Sequence, residues 1–493
     1  MQSESRTAKS IRDIRTITYL FFMGKYGRLG KNALFMFLGS IGSKMLTFLM
    51  LPFYTSHLSV GDYGTVDLIM VYVTLLTSIV TCCLTEAIFV FPKGRPSDEQ
   101  KSYFTSGFIF SSGALLLTGL LFAVSANLLH SAAYNGIFAE YNVYIFLTIC
   151  TTYFQSYTQQ FARSIGKVKI YVISGIVLTL STVLLSLWLL PSRGITGYIY
   201  AMIFAPFITT VYTVVAGKEY AYFSLKRLSK GKLREMLKYS IPMIPNSVIF
   251  WILGTLNRPI LEHYSGIDSV GILAVANKFP ALLTMIYGVF AYSWQISVLE
   301  EFRSEDYRIF YNRIFRIFLL VLSLCVLGIT LLSRPLIEMM TTPEYYEASL
   351  YVPCLSLAVA FSNMAGFVGT NFSATKESKH YFSTSVWGGA ACILMNFLFI
   401  PLSGIWGAVI SILLSNALIL LLRLKITWKY APVLRWHIYV SVLFVIGAYM
   451  TLSFFMENTF LNILCFLSAL SVIVFLNRDY LHDAFVAFRK IRK

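Results

Sequence analysis

Long apolar runs recur along the chain from residue 32 to residue 476, and each approaches the ~20 residues that an α-helix needs to cross a bilayer. Only helices and closed barrels satisfy their backbone groups in lipid. Runs of this length read as helices. Fourteen are predicted, at 32–56, 62–91, 105–128, 141–165, 168–191, 196–216, 240–262, 268–297, 314–333, 346–373, 380–400, 404–422, 436–455 and 459–476. Charged residues make up only 13% of the chain, about half the ~25% of a soluble domain. Lipid-facing side chains explain the shortfall.

The formal charge of +17 would suggest nucleic acid in a soluble protein. Its distribution says otherwise. With the N-terminus in the cytoplasm, 35 of the 40 Lys and Arg residues fall in segments on that side, two (Arg193 and Arg334) in external loops, and three within spans. This obeys the positive-inside rule along the whole chain, places both termini in the cytoplasm, and makes anionic lipids the expected partner of the basic segments, with no nucleic acid. Residues 1–31 lack the apolar core and small-residue cleavage site of a signal peptide, so the first span serves as its own insertion signal. All seven cysteines lie inside spans with no metal-ligand spacing, as small apolar packing residues.

The sequence also matches itself. Pro191, Gly194, Ile195 and Gly197 correspond to Pro401, Gly404, Ile405 and Gly407, and Lys169 and Tyr171 to Lys379 and Tyr381, all at a shift of 210. Pro52 and Gly64 pair with Pro259 and Gly271 at 207; Arg95, Ser97 and Asp98 match Arg303, Ser304 and Glu305 at 207 or 208. Each repeat holds six spans, an even number, so the halves share one orientation about an axis along the membrane normal. The fold expected is an all-α integral membrane protein: a basic segment 1–31, an N-lobe 32–216, a basic linker 217–239, a C-lobe 240–424, two further helices within 425–476, and a basic tail 477–493. Two lobes leave a cleft between them, and rocking of one against the other gives alternating access.

Three cations lie within spans. Lys44 is about twelve residues into the first, near the midplane, on one face with Ser40, Ser43 and Thr47. A Lys there costs about 2.5–3.5 kcal/mol on insertion scales, so it should face a watery or protein-lined cavity. Lys278 lies ten residues below the outer end of the eighth span, beside Asn277. Arg258 follows Asn257 near the outer end of the seventh, where contact with substrate and snorkelling to the surface are both open. In the fourth span Thr152, Gln155, Ser156, Gln159 and Arg163 form a polar stripe that either lines the cleft or bonds other helices. Glu86 and Asp67 of the second span are candidates to pair with the cations or to bind a coupling proton or sodium ion. A cleft of this sign suits an anion, phosphate first. No P-loop, HExxH motif or long external loop is present, so no catalytic residue, metal or cofactor is assigned beyond coupling to an ion gradient.

Leu51, Pro52, Phe53 and Tyr54, then Leu58, Gly61, Asp62, Tyr63 and Gly64, resemble the opening of the polysaccharide-export (Wzx-type) flippases, relatives of multidrug exporters and lipid II flippases. Asn257, Arg258, Gly266, Val270, Gly271, Ala276 and Lys278 resemble them again, as do Ala374, Lys376 and Lys379, and the likeness spans the first twelve helices. It implies a multi-pass protein of the cytoplasmic (inner) membrane. It also implies translocation of an undecaprenyl-pyrophosphate-linked oligosaccharide for O-antigen, capsule or exopolysaccharide, working beside polymerase and chain-length proteins. Lys44, Arg258 and Lys278 would hold the headgroup, with Gln155, Gln159, Arg163 and Asn257 as further contacts. The position before Arg258 is often Asp in relatives and is Asn257 here, so a partner carboxylate is expected to be missing. Lipid II or a drug remains an alternative substrate. A membrane polymerase is the remaining one, though it should carry a long external catalytic loop.

Overall fold

A computed structural model describes residues 42, 45–131, 136–456 and 458–478. The first half contains Leu51–His57 (α1), Val60–Val80 (α2), Leu84–Val90 (α3), Ser97–Ser131 (α4), Ile137–Glu140 (α5), Asn142–Ser164 (α6) and Val168–Ala216 (α7). Lys230–Ser240 (α8) lies in the basic connection. The second half contains Ile244–Thr255 (α9), Asn257–Ser265 (α10), Ile267–Ala276 (α11), Ala281–Glu301 (α12), Tyr307–Met340 (α13), Ala348–Ala374 (α14), Ser378–Ser403 (α15) and Ile405–Thr427 (α16). Trp436–Phe455 (α17) and Thr459–Leu476 (α18) follow. No strand occurs among the described residues.

Ten of these helical stretches are long and apolar enough to cross a membrane, and α11 with the start of α12 adds an eleventh, bent by 41°. At 49 residues α7 is two spans in one, broken at Gly194 (φ 56°, ψ −138°). α6 has the length, at 23 residues, but its polar stripe lowers its hydropathy. The described helices thus cover the second to the fourteenth predicted spans and the outer half of the first, whose residues 32–41, 43 and 44 lie outside the described residues. The second span is interrupted by Cys82 and Cys83, both at positive φ, which separates α2 from α3. Leu116, Trp188, Leu402 and Phe444 stand exposed on the periphery, as expected where lipid replaces water.

The repeat recurs in backbone geometry. Gly404, 210 residues after Gly194, has φ 55° and ψ −124°. The reason is steric as well as torsional, because a Cβ on Gly197 or Gly407 would lie 2.2 Å from the carbonyl oxygen of Leu189 or Phe399, again one pair of equivalents. Where α6 meets α7, Lys167 N–H donates to Ala162 O at 2.9 Å; where α14 meets α15, Glu377 N–H donates to Phe372 O at 2.9 Å.

The halves meet across α2 and α11. A Cβ on Gly64 would sit 2.4 Å from Ile267 O, and one on Gly271 2.0 Å from Val60 O. Both pairs are related by 207, so the contact is reciprocal, as a two-fold relation demands. Beside it Tyr345 Oη donates to Leu58 O and Ser59 O at 3.0 and 2.9 Å, and Thr55 Oγ1 reaches Met340 O at 3.3 Å. A core of Leu51, Tyr54 and Tyr63 with Leu261, Val275 and Val352 fills this end, which lies opposite the basic loops.

Candidate functional site between the halves

Arg258 sits at the start of α10, one residue past the break from α9, and is only 8% exposed. Its Nε donates to Asp67 Oδ2 of α2 at 2.6 Å. Its Nη1 donates to Gly254 O at 2.9 Å and to Asn257 Oδ1 at 3.2 Å. Of the two readings open for Arg258, it does not snorkel, and Asp67, a candidate partner from the sequence, supplies from the opposite half the carboxylate that Asn257 lacks. Asn257 itself is buried, with no partner for Nδ2.

Lys278 occupies the break between α11 and α12. Its Nζ lies 5.9 Å from the centroid of the Tyr63 ring, with Asp67 and Arg258 in Coulombic reach. Tyr54 and Tyr198 pack nearby, their ring centroids 4.7 Å apart and their planes tilted by 41°. Among the described residues, one carboxylate thus stands with two cations between the halves, paired with Arg258 and within Coulombic reach of Lys278, an excess of one positive charge. A low-dielectric site amplifies such an imbalance.

Further along α2 toward the basic end, Thr74, Leu75 and Ser78 face Ser247, Phe250, Trp251 and Thr255 of α9 across an open cleft of about 320 Å³. Trp251 Nε1 donates to Val71 O at 2.9 Å, a rung between Asp67 and the cleft. The halves thus close tightly around Gly64 and Gly271 and leave this cleft further along α2, with the ion pair between; beyond the cleft Cys83 Sγ and Ser247 Oγ still meet at 3.4 Å.

Lys44 lies outside the described residues. The α6 stripe does not join the Arg258–Lys278 cluster. Gln155 Nε2 donates to Gln159 Oε1, and Gln159 Nε2 donates to Ser174 Oγ of α7 at 2.7 Å. Arg163 lies over the rings of Phe89 and Tyr171, at 4.3 and 5.4 Å. Glu86 is exposed on α3 without an ion pair among the described residues.

Arg316 and Arg423, read from the sequence as loop cations, are buried. Arg423 bonds Thr384 Oγ1, Ala365 O and Ser385 Oγ at 3.2, 2.8 and 3.1 Å and stacks on Tyr381 at 4.1 Å. Arg316 binds Asn477 Oδ1 and Leu476 O, each at 2.8 Å, fastening the end of α18 to α13. Apolar stretches set the predicted span limits. Arg316 lies at the start of the predicted span 314–333, and α16 runs past the predicted limit of 422 to Thr427, which carries Arg423 inside.

A family model described as "Polysaccharide biosynthesis protein" matches residues 29–298, more than half of the chain. The chain belongs to this family. No curated protein matches it. Among solved structures, this polysaccharide biosynthesis protein is similar to the lipid II flippase MurJ in an inward closed conformation, with a TM-score of 0.66 at 14% identity over 91% of this chain and 100% of that one. It is also similar to an inward-facing multidrug resistance MATE family transporter of the MOP superfamily, at 0.63 and 15% over 77% and 92%. A MOP superfamily transporter from Pyrococcus furiosus, described as having a binding pocket of reverse polarity, gives 0.52 and 14% over 80% and 94%. At these identities the likeness is one of fold: the family member is a multi-pass protein with a transporter architecture.

Proposed function

We propose that this chain is a flippase that carries an undecaprenyl-pyrophosphate-linked oligosaccharide from the cytoplasmic to the outer leaflet of the cytoplasmic membrane, for O-antigen, capsule or exopolysaccharide. The single observation that carries the reading is the interlobe cluster in which Asp67 pairs with the buried Arg258 and stands within Coulombic reach of a second cation, Lys278. Its excess positive charge suits a pyrophosphate. The family supports a polysaccharide precursor, and the lipid II flippase among the structural neighbours supports a lipid-linked one.

The positive-inside rule turns the basic end and both termini to the cytoplasm. The open cleft then faces the side where the precursor is made, and the seal at Gly64 and Gly271 faces outward. Lobes 32–216 and 240–424 rock about this seal while the linker 217–239 and the tail 477–493 stay in the cytoplasm; 425–476 adds two helices to the second lobe. Lys44, outside the described residues, is a further headgroup contact on the sequence reading. Arg163, Gln155, Gln159 and Asn257 serve as secondary contacts. Asp67 is engaged by Arg258, which leaves Glu86 as the freer candidate for a coupling proton or sodium ion. Anionic lipids hold the basic loops, and polymerase and chain-length proteins receive the flipped unit.

The test is deletion of the gene with analysis of the lipid-linked intermediates and their sidedness. Repeat units stranded on the cytoplasmic face support the reading. Stranded lipid II assigns the alternative flippase substrate, a change in drug sensitivity alone assigns a multidrug exporter, and unpolymerised units on the outer face assign a polymerase.

A further inference from the structure

The connection between the halves begins with a buried acid that the transport reading does not use. Glu219 opens a single 3₁₀ turn, Glu219–Tyr222, just past α7, and its side chain is fully buried. Neither carboxylate oxygen has a hydrogen-bond partner. Gly217 closes the pocket, since a Cβ there would lie 3.1 Å from Glu219 Cγ and 2.4 Å from Thr213 O. The groups that face it are few. Lys167, in the turn between α6 and α7, is within Coulombic reach, but its Nζ donates to Gly217 O and lies 5.5 Å from the Tyr222 ring centroid. Tyr157 of α6 is also near, but its hydroxyl donates to Phe104 O at 2.8 Å. α7 presents Thr213 and α4 presents Thr105 and Ser106, none of them titratable.

The segment is strapped down around this acid. Thr105 Oγ1 donates to Tyr222 O at 3.2 Å and accepts from Ser224 N–H at 2.9 Å, and Ser106 Oγ accepts from Ser229 N–H at 2.9 Å. An ionised carboxylate with both oxygens dry and unbonded is far less stable than the neutral acid. We propose that Glu219 is a proton-binding site, protonated while residues 217–224 are seated on the first half and deprotonated when they lift away. The ligand is the proton, and the site stands apart from the interlobe cations and from any choice of substrate. Since this segment leads into the second half, proton occupancy on the basic side favours the seated connection.

Burial pushes the Glu219 carboxyl from its ordinary 4.5 up to about 9, with Lys167 opposing the shift. The sign follows. Below pH 4.5 seated and lifted forms both hold the proton, and seating is at its strongest; between 4.5 and about 9 only the seated form holds it, so seating weakens as pH rises. The equilibrium constant for lifting increases about tenfold per pH unit in this window and levels off above it.

The experiment uses the full chain in lipid nanodiscs. Amide hydrogen exchange over 217–224, corrected for intrinsic rates, gives the opening constant between about pH 6 and 8.5. The wild type is expected to open about tenfold more per unit, and Glu219→Gln, which mimics the neutral acid, is expected to be flat. The infrared carbonyl stretch of a protonated carboxylic acid is expected at neutral pH in the wild type and reduced by one group in Glu219→Gln. A pH-independent wild-type opening constant, an unchanged slope in the variant, or an infrared band that the variant does not diminish would each overturn the assignment.

Discussion

Arg258 and Asp67 come from opposite halves of the chain and meet at 2.6 Å, the one ion pair among the described residues that crosses between the halves. Because Arg258 also bonds the Gly254 carbonyl at the end of α9, the pair ties α2 to the break that begins α10. It stands between the sealed end and the open cleft, where a small change in the distance between lobes acts on it directly.

Asp67→Asn keeps the shape and removes the charge. A hydrogen bond to a charged group contributes about 1.5–3 kcal/mol, and a shift of about 2 kcal/mol in a two-state equilibrium is roughly 30-fold. The sealed end should open more often by about that factor, read by labelling of a cysteine placed at Tyr345. The exchange Asp67→Arg with Arg258→Asp should return labelling toward the wild-type level. If the double variant labels as heavily as Asp67→Asn, the pair is not what holds this end shut.

The reciprocal glycines make a sharper demand. Gly271→Ala places a methyl 2.0 Å from Val60 O, and Gly64→Ala one 2.4 Å from Ile267 O; neither neighbour is a flexible side-chain tip. Overpacking of this kind costs about 1–3 kcal/mol, and the strain falls on the sealed form. Each variant should reduce polymer export about tenfold or more, whereas Gly288→Ala, with nothing within 4 Å of its Cβ, should export normally. Normal export by Gly271→Ala would mean that the α2–α11 contact is not used in transport.

Much of this was legible in the sequence. Apolar length and the loop asymmetry of Lys and Arg gave the spans, and Pro191, Gly194 and Gly197 announced both the kink and the repeat because only glycine tolerates those backbone angles and contacts. Asp67 could be named as a partner for the span cations, but not assigned to Arg258, since the two are 191 residues apart and their partnership depends on which helices cross. Arg423 was hidden by its position: it ends an apolar run, where a loop cation and a buried one look alike. The α6 stripe was recognised as polar, yet the period could not choose between cleft and neighbouring helix.

That choice can be made by experiment. If Gln159 serves helix packing, removing only Ser174 leaves its part-buried amide unpaired, at a cost of up to about 1–3 kcal/mol, while replacing the whole Gln155–Gln159–Ser174 chain by apolar groups is nearly neutral. Ser174→Ala should therefore unfold at lower temperature than Gln155→Leu and Gln159→Leu combined with Ser174→Ala. Should the triple variant fold well and lose export, the stripe contacts substrate as well.

Lys278 carries the sharpest test of the anion reading, because without it Arg258 and Asp67 balance and the site is neutral. At an effective dielectric of 20, one unit charge 5 Å from another contributes about 3 kcal/mol, on the order of a hundredfold in affinity. Lys278→Met should weaken binding of a pyrophosphate-bearing polyprenyl lipid by about that factor, with a shallower salt dependence, and Lys278→Arg should keep most of it. The same logic applies to Lys44, where charge removal should abolish export and Lys44→Arg retain some. Replacing Asp67 by Asn runs the other way at this step: it frees Arg258 and should tighten lipid binding even as it loosens the seal. Binding that is indifferent to Lys278→Met, with export intact in Lys44→Ala, would leave the cationic cluster a packing device and remove the pyrophosphate from the account.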